Sequence, residues 1–414
     1  MLPNDSIKPK YDSACFSHLP GLVKDALRGE ATSPLTPALF SEPQQKFDKV
    51  VFFLIDAFGW RFFEKYGDRY PFLQHFIKHG KVSKLTSQFP STTSAHVTTL
   101  FTNQVVGQHG VFEWQYYEPK LDAMIVPLLY SFSGEEQPEL LSGVDIDPRE
   151  ILPNSTFFET LQAQGVTPWI FQDNTYLRST YSATMTRGAR ASGYKTLAEV
   201  LVNVRLRLKK TPAPAALFLY IDTLDATLHR YGPGAPQVEA EIDAIFTIMD
   251  RAFLQQVDGA FENTLFLLTA DHGQMWVDPK KTLYLNQTPQ FPQIRRLLRE
   301  NRRGEVLAPG GSPRDMFLYV KEPLLGEAKA LVAAAVQGRA DVYSIDELIA
   351  EGLFGPEPPS PTFLSRVGNL VILPRKHETV WWYEKDRFEQ KFYGHHGGLS
   401  PEEMEIPMLT YHFV

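Results

Sequence analysis

A hydroxyl-rich turn, Phe-Pro-Ser-Thr-Thr-Ser-Ala-His at residues 89–96, carries the side chain best placed for covalent chemistry. The turn follows the segment Lys81–Gln88 and runs into the apolar segment Val97–Phe101, so the pattern predicts that Thr93 projects from the start of a helix. Backbone N–H groups at a helix start favour an anion. A threonine hydroxyl is a weak nucleophile until a base or a metal ion lowers its pKa, so this chemistry needs partners from elsewhere in the chain.

Four further groups of residues supply side chains of the kind that such a hydroxyl needs. They are Asp56 after the apolar run Lys49–Ile55, the pair Asp225 and His229, the run Asp271-His272-Gly273, and the run His395-His396-Gly397-Gly398. Taken singly, each has an ordinary explanation. Asp56 fits a helix N-cap, Asp225 and His229 fit a surface charge pair one helical turn apart, and the last run fits a loop histidine.

Taken together, the four groups indicate a metal centre. Most of them stand where an apolar strand stops or a glycine-rich turn starts, and all their functional side chains are Asp or His. Asp and His ligands without Cys suit a catalytic zinc or manganese site better than a structural zinc site. Two ions roughly 3.5–4 Å apart can activate a nucleophile and neutralise the oxygens of an in-line phosphoryl transfer. The hypothesis is that Thr93 is that nucleophile.

The elements that must position these residues follow an alternating pattern of strands and helices. Short apolar runs predict buried strands at Lys49–Ile55, Thr167–Gln172, Ala215–Tyr220 and Thr264–Thr269, and helical spacing predicts helices at Trp60–Gly80, Phe157–Gln164, Tyr194–Lys209 and Gln237–Val257. This alternation predicts a parallel sheet covered on both faces. Asp56 and Asp271 then lie at the carboxyl ends of strands, where open α/β sheets bind ligands.

The rest of the chain divides into a lead-in and an insertion. Residues 1–46 are a polar, proline-punctuated lead-in with one amphipathic stretch at Leu19–Leu27. We expect residues 47–274 and 391–414 to form the metal-binding α/β core, and residues 275–390, with short strand and helix patterns, to form a smaller cap-like α+β insertion. Phe112–Pro153 is rich in aromatic and acidic residues without a clear period, which predicts a long loop or lid.

These motifs resemble those of the alkaline phosphatase superfamily, and most of all its type I phosphodiesterase/nucleotide pyrophosphatase branch. The matching residues are Asp56 at the end of the first core strand, Phe89-Pro90-Ser91-Thr92-Thr93 with His109-Gly110 downstream, Asp225, His229, Gly232 and Pro233, Asp271-His272-Gly273, and His396 between Gly394 and Gly397. All occur in the family's order. The resemblance implies an alkaline phosphatase-like three-layer α/β/α sandwich with a mostly parallel central sheet and a smaller α+β insertion.

The resemblance also implies roles for the matching residues. Asp225, His229 and His396 would hold one Zn²⁺ ion, and Asp56, Asp271 and His272 would hold a second that also binds the Thr93 oxygen; Mn²⁺ is the alternative metal. Thr93 would attack phosphorus to form a phospho-threonine intermediate, which water then hydrolyses. The implied activity is cleavage of phosphodiester or pyrophosphate bonds.

The chain departs from the nucleotide-cleaving members at two positions. Those members have an aromatic residue directly after the nucleophile, where this chain has Ser94, and an asparagine beyond the His-Gly pair, where this chain has Trp114. Gln115 is a candidate substitute donor to the substrate, and Trp114 is a candidate wall of the substrate pocket, with packing as the alternative. Asp222 and His395 stand beside proposed ligands and are candidates for orienting them.

Composition narrows the class of protein. A formal net charge of −7 argues against a nucleic-acid backbone as the main partner. The single cysteine, Cys15, permits neither an intramolecular disulfide nor a thiolate metal site. Met1–His18 lacks the apolar core of a signal peptide, and no apolar run approaches the roughly 20 residues that span a bilayer. We expect a soluble, cytoplasmic protein that binds a small phosphorylated substrate and no membrane; the pattern leaves its oligomeric state open.

Three other functions remain open at this stage. One is a phosphonate hydrolase or phosphomonoesterase on the same metal site. Another is a phosphoglycerate mutase-like enzyme with a serine nucleophile, for which Ser91 and Ser94 are available. The third, from a different class, is an inactive protein that binds a phosphorylated ligand. The sulfatase signature Cys-x-Pro-x-Arg is absent, because Cys15 lies in Ser-Ala-Cys-Phe-Ser.

Overall fold

The centre of the molecule is a seven-stranded sheet built from the long apolar runs of the sequence. The computed structural model describes residues 2–36, 45–257 and 259–413. Its strands are β1 (Lys49–Ile55), β2 (Lys81–Thr86), β3 (Tyr116–Glu118), β4 (Ala123–Val126), β5 (Ser131–Phe132), β6 (Thr167–Asp173), β7 (Arg190–Tyr194), β8 (Ala215–Ile221), β9 (Thr264–Thr269), β10 (Met275–Trp276), β11 (Leu283–Tyr284), β12 (Gly310–Ser312), β13 (Asp315–Leu318), β14 (Ala340–Ser344), β15 (Leu370–Pro374), β16 (Val380–Trp381), β17 (Gly394–His395) and β18 (Glu405–Phe413).

The helices occupy most of the segments between the strands of this sheet. In the described residues, the α-helices are α1 (Leu19–Arg28), α2 (Trp60–Tyr66), α3 (Pro71–His79), α4 (Thr93–Thr102), α5 (Val106–His109), α6 (Pro148–Ile151), α7 (Phe157–Ala163), α8 (Asn174–Leu177), α9 (Thr180–Met185), α10 (Leu197–Lys210), α11 (Thr223–Tyr231), α12 (Pro236–Ala252), α13 (Phe291–Leu297), α14 (Leu325–Ala335), α15 (Ile345–Ala350), α16 (Pro361–Arg366) and α17 (Pro401–Met404).

The central sheet is mostly parallel, as predicted. Its strand order is β2-β18-β9-β1-β8-β6-β7. β1 pairs in parallel with β8 on one side and β9 on the other, and β18 is antiparallel to both β9 and β2. Every residue of β9 is buried, and so is every residue of β1 after Lys49, so both faces of these strands are covered.

The order of the strands decides where the candidate residues meet. β8, β1 and β9 are adjacent and run in the same direction, so their carboxyl ends share one edge of the sheet. Asp56 follows β1 directly, Asp271 lies two residues beyond β9, and α11 begins two residues beyond β8. Topology alone therefore brings three of the four Asp/His groups to one place.

Several sequence-based boundaries were wrong. The predicted helix Trp60–Gly80 is two helices, because Pro71 lacks the N–H that an uninterrupted helix would need there and instead stands at the first position of α3. Tyr194 ends β7 rather than starting a helix. Phe112–Pro153 is not simply a loop: it contains the antiparallel three-stranded sheet β3-β4-β5 and helix α6.

The remaining segments pack against or beside the core. The four-stranded antiparallel sheet β12-β13-β15-β14 shares a second hydrophobic cluster with α13 and α14. The division at residues 274/275 and 390/391 stays a prediction. In the lead-in, the Phe16 ring packs edge-on against the His96 ring of α4 at 4.8 Å; residues 37–44 lie outside the described residues. Across the described ranges, helices long and apolar enough for a membrane crossing are absent, and the cytoplasmic location stays a prediction.

Candidate metal centre and nucleophile

The loops after β1 and β9 touch each other, which brings Asp56 and Asp271 together. Gly59 and Gly273 make this approach possible, since a Cβ added to Gly59 would stand 2.6 Å from the Cα of Gly273. Across the contact, the backbone N–H of Ala57 donates to Oδ1 of Asp271 at 3.1 Å. A larger residue at Gly59 would separate the two strand ends.

Thr93 lies at the first position of α4, as predicted, with Thr92 as the N-cap residue. Its Oγ1 is 3.2 Å from Oδ2 of Asp56 and 3.1 Å from Nε2 of His272. The buried His96 holds this turn in place. Its Nδ1 donates to the Thr92 carbonyl at 2.7 Å, and its Nε2 accepts from the Gln88 N–H at 2.8 Å. The hydroxyl therefore has a fixed position against one carboxylate and one imidazole.

We call Asp56, Asp271 and His272 the strand half of the site. One ligand atom from each lies within 4.8 Å of the others. Nε2 of His272 is 3.5 Å from Oδ1 of Asp56 and 3.4 Å from Oδ2 of Asp271. The side chains are 2%, 0% and 0% exposed, so this half is shielded from bulk water.

We call Asp225, His229 and His396 the helix half. Asp225 and His229 stand one turn apart on α11, with Oδ2 and Nε2 separated by 3.4 Å. His396 follows β17, and its Nε2 is 3.2 Å from that of His229 and 3.9 Å from Oδ1 of Asp225. His272 joins the halves, because it also groups with Asp225 and His396 and its ring stacks on that of His396 at 3.8 Å. All six predicted ligands therefore meet.

The hydrogen bonds of the three histidines test whether these residues fit a metal ion. Each Nδ1 donates to a backbone carbonyl: His229 to Gly394 at 2.8 Å, His272 to Gly273 at 3.0 Å, and His396 to Ser91 at 2.9 Å. The lone pairs are thereby left on the Nε2 atoms that face the site, an arrangement typical of metal-binding histidines.

Two further contacts need a positive charge to be favourable. The Nε2 lone pairs of His229 and His396 face each other at 3.2 Å. Oδ2 of Asp271 is buried without a hydrogen-bond donor. Three carboxylates and three imidazoles without a thiolate form a donor set suited to catalytic zinc or manganese. The residues fit divalent cations.

The electrostatics of the protein alone point the same way. Burial, together with the charges of Asp271 and Asp225, holds the pKa of Asp56 well above its usual range, and burial raises the pKa of Asp271 to about 7. Burial also lowers the pKa of His396 to about 4, and neighbouring His229 adds to this shift. Buried carboxylates that repel one another, beside histidines that resist protonation, form a site that a divalent cation would stabilise.

Two residues that the sequence reasoning missed hold the ligands in place. The Tyr220 hydroxyl donates to Oδ2 of Asp56 at 2.5 Å, and the Gln274 amide nitrogen donates to Oδ1 of Asp225. Both carried a signal: Tyr220 is the one hydroxyl-bearing side chain in the apolar run Ala215–Ile221, and Gln274 comes directly after Asp-His-Gly. Partners of this kind orient metal ligands.

The remaining candidates lie around these groups. Asp222 accepts a hydrogen bond from the Tyr176 hydroxyl at 2.8 Å. His395 is buried with its ring 5.4 Å from that of His229, and its Nε2 has no hydrogen-bond partner. Trp114 is exposed on the surface. Each of the three stays a prediction as an orienting or substrate-binding residue.

Gln115 is bonded within the protein at both ends of its amide, and its role as a donor to a phosphate stays a prediction. It is buried, its amide nitrogen donates to the Pro309 carbonyl at 2.8 Å, and its amide oxygen accepts from the Ser133 hydroxyl at 2.7 Å. Both ends of the amide are therefore already bonded, and the side chain joins two loops.

Buried charges connect the segment 310–318 to the loop that carries His396. Arg314 makes a bidentate pair with Glu403 at 2.9 and 3.0 Å, and Glu403 also accepts from the backbone N–H of Gly398. Nearby, Asp315 lies under Gly397, where an added Cβ would stand 2.5 Å from its Oδ1. Asp315 is fully buried, as is Glu113, and both carboxyls interact with each other.

The mostly parallel α/β sheet and the Asp/His groups beside a hydroxyl agree with the architecture expected from the resemblance to the alkaline phosphatase superfamily. A family model described as type I phosphodiesterase / nucleotide pyrophosphatase matches residues 50–399. The chain therefore belongs to the type I phosphodiesterase / nucleotide pyrophosphatase family.

Individual relatives support this assignment. Human ectonucleotide pyrophosphatase/phosphodiesterase family member 1 is 25% identical over 268 residues, which cover 61% of this chain and 26% of the relative. The chain thus matches about a quarter of that protein's length. An inactive variant of murine ectonucleotide pyrophosphatase/phosphodiesterase 5 in complex with AMP has the same fold, with a TM-score of 0.60, 17% identity and 88% of each chain covered. Phosphonoacetate hydrolase from Sinorhizobium meliloti 1021 in complex with phosphonoacetate has a TM-score of 0.62, 16% identity, and coverage of 88% of this chain and 90% of the other.

Proposed function

We propose that this protein hydrolyses phosphodiester or pyrophosphate bonds of a small phosphorylated substrate, with Thr93 as the nucleophile. The observation that carries the proposal is the position of the Thr93 hydroxyl, 3.2 Å from the Asp56 carboxylate and 3.1 Å from the His272 imidazole. Membership of the type I phosphodiesterase / nucleotide pyrophosphatase family supports the same reaction class.

The metal ligands are part of the proposal. The strand half would hold one zinc ion beside Thr93, and the helix half would hold the other, with manganese as the alternative. When bound, two such cations lower the pKa of the threonine hydroxyl and offset the charge of the phosphate oxygens. Zinc is favoured because three imidazoles contribute to the donor set.

The residues of the chain then perform two in-line displacements. The Thr93 oxygen attacks phosphorus, the bond to the leaving oxygen breaks, and a phospho-threonine forms. Water attacks the same phosphorus from the opposite side, which releases the phosphate product and restores the hydroxyl. The helix N-terminus at Thr93 would favour the phosphoryl group, because the N–H groups of a helix's first turn carry partial positive charge. His96 keeps the turn in position through both steps.

A second candidate, a phosphonate hydrolase or phosphomonoesterase, is favoured by one observation. Ser94, the residue after the nucleophile, is fully buried and has no ring to stack on a base. AMP and phosphonoacetate are bound by two structural neighbours of this chain. Both ligands are small and phosphorylated, and they differ in what is attached to the phosphorus.

Rates on two chromogenic substrates test the proposal. We expect bis(p-nitrophenyl) phosphate to be hydrolysed faster than p-nitrophenyl phosphate by metal-replete protein. Faster turnover of the monoester would favour the second candidate. Metal analysis of the same sample tests the third possibility, an inactive binding protein: about two divalent ions per chain are expected, and none under metal-replete conditions would contradict hydrolysis.

A further inference from the structure

Large aromatic side chains are exposed next to the helix half. Among the described residues, the exposed large apolar side chains include six aromatic ones. Four of these lie beside the helix half. Tyr231 is two residues after His229, Trp276 lies in β10, and Phe392 and Tyr393 directly precede β17. Exposed aromatic rings are costly to leave in water, so their concentration at one place points to a binding role.

We call Trp276, Phe392 and Tyr393 the aromatic rim. The rim is attached to the helix half by its backbone. The Tyr393 N–H donates to the His229 carbonyl at 2.9 Å, the Val277 N–H donates to the Tyr393 carbonyl at 2.9 Å, and Trp276 pairs with Gly394 across β10 and β17. The same Gly394 carbonyl orients the His229 ring.

One ring of the rim, Phe392, contacts the proposed metal ligand His229. The Phe392 ring centroid is 5.2 Å from that of His229, and 47% of Phe392 is exposed. Trp276 and Tyr393 pack over Gly232, where an added Cβ would stand 2.9 Å from the indole Cδ1 and 3.1 Å from the Tyr393 Cβ. Gly232 is also in a left-handed conformation, with φ +82°, so a side chain there is excluded on two grounds. The rings therefore have a packed side and an open side.

The rim lies on the leaving-group side of the phosphorus. In an in-line displacement, the attacking and departing oxygens stand on opposite sides of the phosphorus. Thr93 contacts the strand half, through Asp56 and His272. The departing oxygen is therefore nearest the helix half, and Phe392 is the exposed ring in contact with that half.

We infer that the aromatic rim is a specificity site for a flat, apolar leaving group on a phosphodiester. The inference rests on the proposed function, because it uses the direction of attack by Thr93. It goes further by assigning a substrate class: esters whose departing alcohol carries a ring that stacks on Phe392 and Trp276. Ser94 offers no ring on the nucleophile side, whereas the rim presents exposed aromatic side chains beside the helix half.

Two diesters that differ only in the leaving ring test the inference. Methyl phenyl phosphate and methyl 2-naphthyl phosphate have leaving alcohols of similar acidity, and the aryl oxygen departs in both because methoxide is a far poorer leaving group. We expect metal-replete wild-type protein to favour the naphthyl ester by roughly fivefold in kcat/KM, since the second ring adds stacked apolar area. Phe392→Ala and Trp276→Ala should bring this ratio close to one, and Phe392→Tyr should retain it.

A binding measurement provides a second readout. Calorimetric titration of both diesters into Thr93→Ala protein, which does not turn them over, should show the same preference for the naphthyl ester. Adding Phe392→Ala to this protein should remove the preference. Leu206→Ala is the matched control, because Leu206 is an exposed apolar residue on α10 that should leave both ratios unchanged.

The outcomes separate the two proposals. If the protein turns over both diesters, and Phe392→Ala and Trp276→Ala leave the naphthyl-to-phenyl ratio of kcat/KM unchanged, the inference about the rim is wrong and the proposed function stands. No turnover of either diester, combined with a naphthyl preference in binding that Phe392→Ala removes, overturns the proposed function and supports the rim as a binding site. Equal binding of the two diesters by Thr93→Ala protein overturns the rim.

Discussion

The two halves of the candidate metal centre are built differently. The strand half follows directly from β1 and β9, and its side chains are at most 2% exposed. The helix half comes from α11 and from the loop after β17, and its side chains are 12–20% exposed. Strand ends fixed in a central sheet give a rigid position for the nucleophile. A helix and a distant loop leave the other side open to solvent and to a leaving group.

The difference suggests a division of labour. Chemistry that needs a fixed distance, such as the approach of Thr93 to phosphorus, is assigned to the buried half. Exchange of leaving group and water is assigned to the half with access to solvent. The following changes test this division, starting with the one expected to have the largest effect.

Removing Thr93, the proposed nucleophile, should have the largest effect. We expect Thr93→Ala to lower kcat by at least about a thousandfold, because no hydroxyl remains to form the phospho-threonine. Metal content should be nearly unchanged, since the six Asp and His side chains remain. Thr93→Ser, which keeps a hydroxyl, should retain measurable turnover. Activity of Thr93→Ala near the wild-type level would move the nucleophile to another hydroxyl of the turn.

Removing one histidine from each half compares them directly. His272 groups with ligands of both halves, whereas His229 belongs to the helix half. We therefore expect His272→Ala to lose both metal ions and at least about a hundredfold in activity, and His229→Ala to keep about one ion per chain. Metal content after dialysis, measured by mass spectrometry, checks this. His79→Ala, at an exposed histidine on α3, is the control. Equal metal loss in both variants would contradict the division.

A smaller effect is expected from removing Gln274, the hydrogen-bond partner of Asp225. Gln274→Ala removes the amide that donates to Asp225, so the carboxylate loses its fixed orientation. We expect metal affinity of the helix half to fall about 10- to 100-fold, with the strand half unaffected. Competition with a chelator measures the two affinities. Gln255→Ala removes a similar amide-to-aspartate bond on the surface, to Asp250, and should change neither. A loss confined to the strand half would contradict the assignment.

The smallest effect on activity is expected from the buried acid pair, Glu113 and Asp315, beneath the His396 loop, where the change is in stability. Burial raises the pKa of Glu113 to about 7 from the ordinary value of 4.5, so the folded protein keeps a proton that the unfolded chain releases between these pH values. This stabilisation is fully present below about pH 4.5 and is lost as the pH rises to about 7. Glu113→Gln should therefore be less sensitive to pH, by of order 2 kcal/mol in unfolding free energy between pH 5 and 8.

Chemical denaturation at several pH values measures this difference. Glu262→Gln is the control, because Glu262 is exposed and distant in sequence from the pair. Parallel pH profiles for wild type and Glu113→Gln would show that the pair does not hold a proton in the folded state.

The parts of the site that follow from local pattern could be predicted. A continuous apolar run predicts a buried parallel strand, so the placement of Asp56 and Asp271 at strand ends needed only the sequence. The i, i+4 spacing placed Asp225 and His229 on one helical face. Family motifs then supplied His396, whose partner ligands lie more than 100 residues away in sequence.

The parts of the fold and the site that depend on packing between distant segments could not be predicted from the sequence. The strands β3, β4 and β5 are two to four residues long, too short to show a period, and they are stable through their pairing with one another. The hydrogen-bond partners of the Gln115 amide, Pro309 and Ser133, are remote in sequence, so local pattern could not reveal them. Tyr220 and Gln274 gain their importance from neighbours that only the folded chain brings near.

The ion pair of Arg314 and Glu403 limits how the chain can be engineered and how the two residues can change in evolution. Glu403 is fully buried and supports the backbone at Gly398, two residues from His396, while its cation comes from the segment between β12 and β13. Deleting that segment would leave the buried Glu403 carboxylate without its cation beneath the proposed ligand His396, which would cost about 3–5 kcal/mol. The segment between β12 and β13 therefore cannot be removed without destabilising the protein. A chimera that exchanges it with a homologue must transplant both members of the pair, and lineages should gain or lose them as one unit.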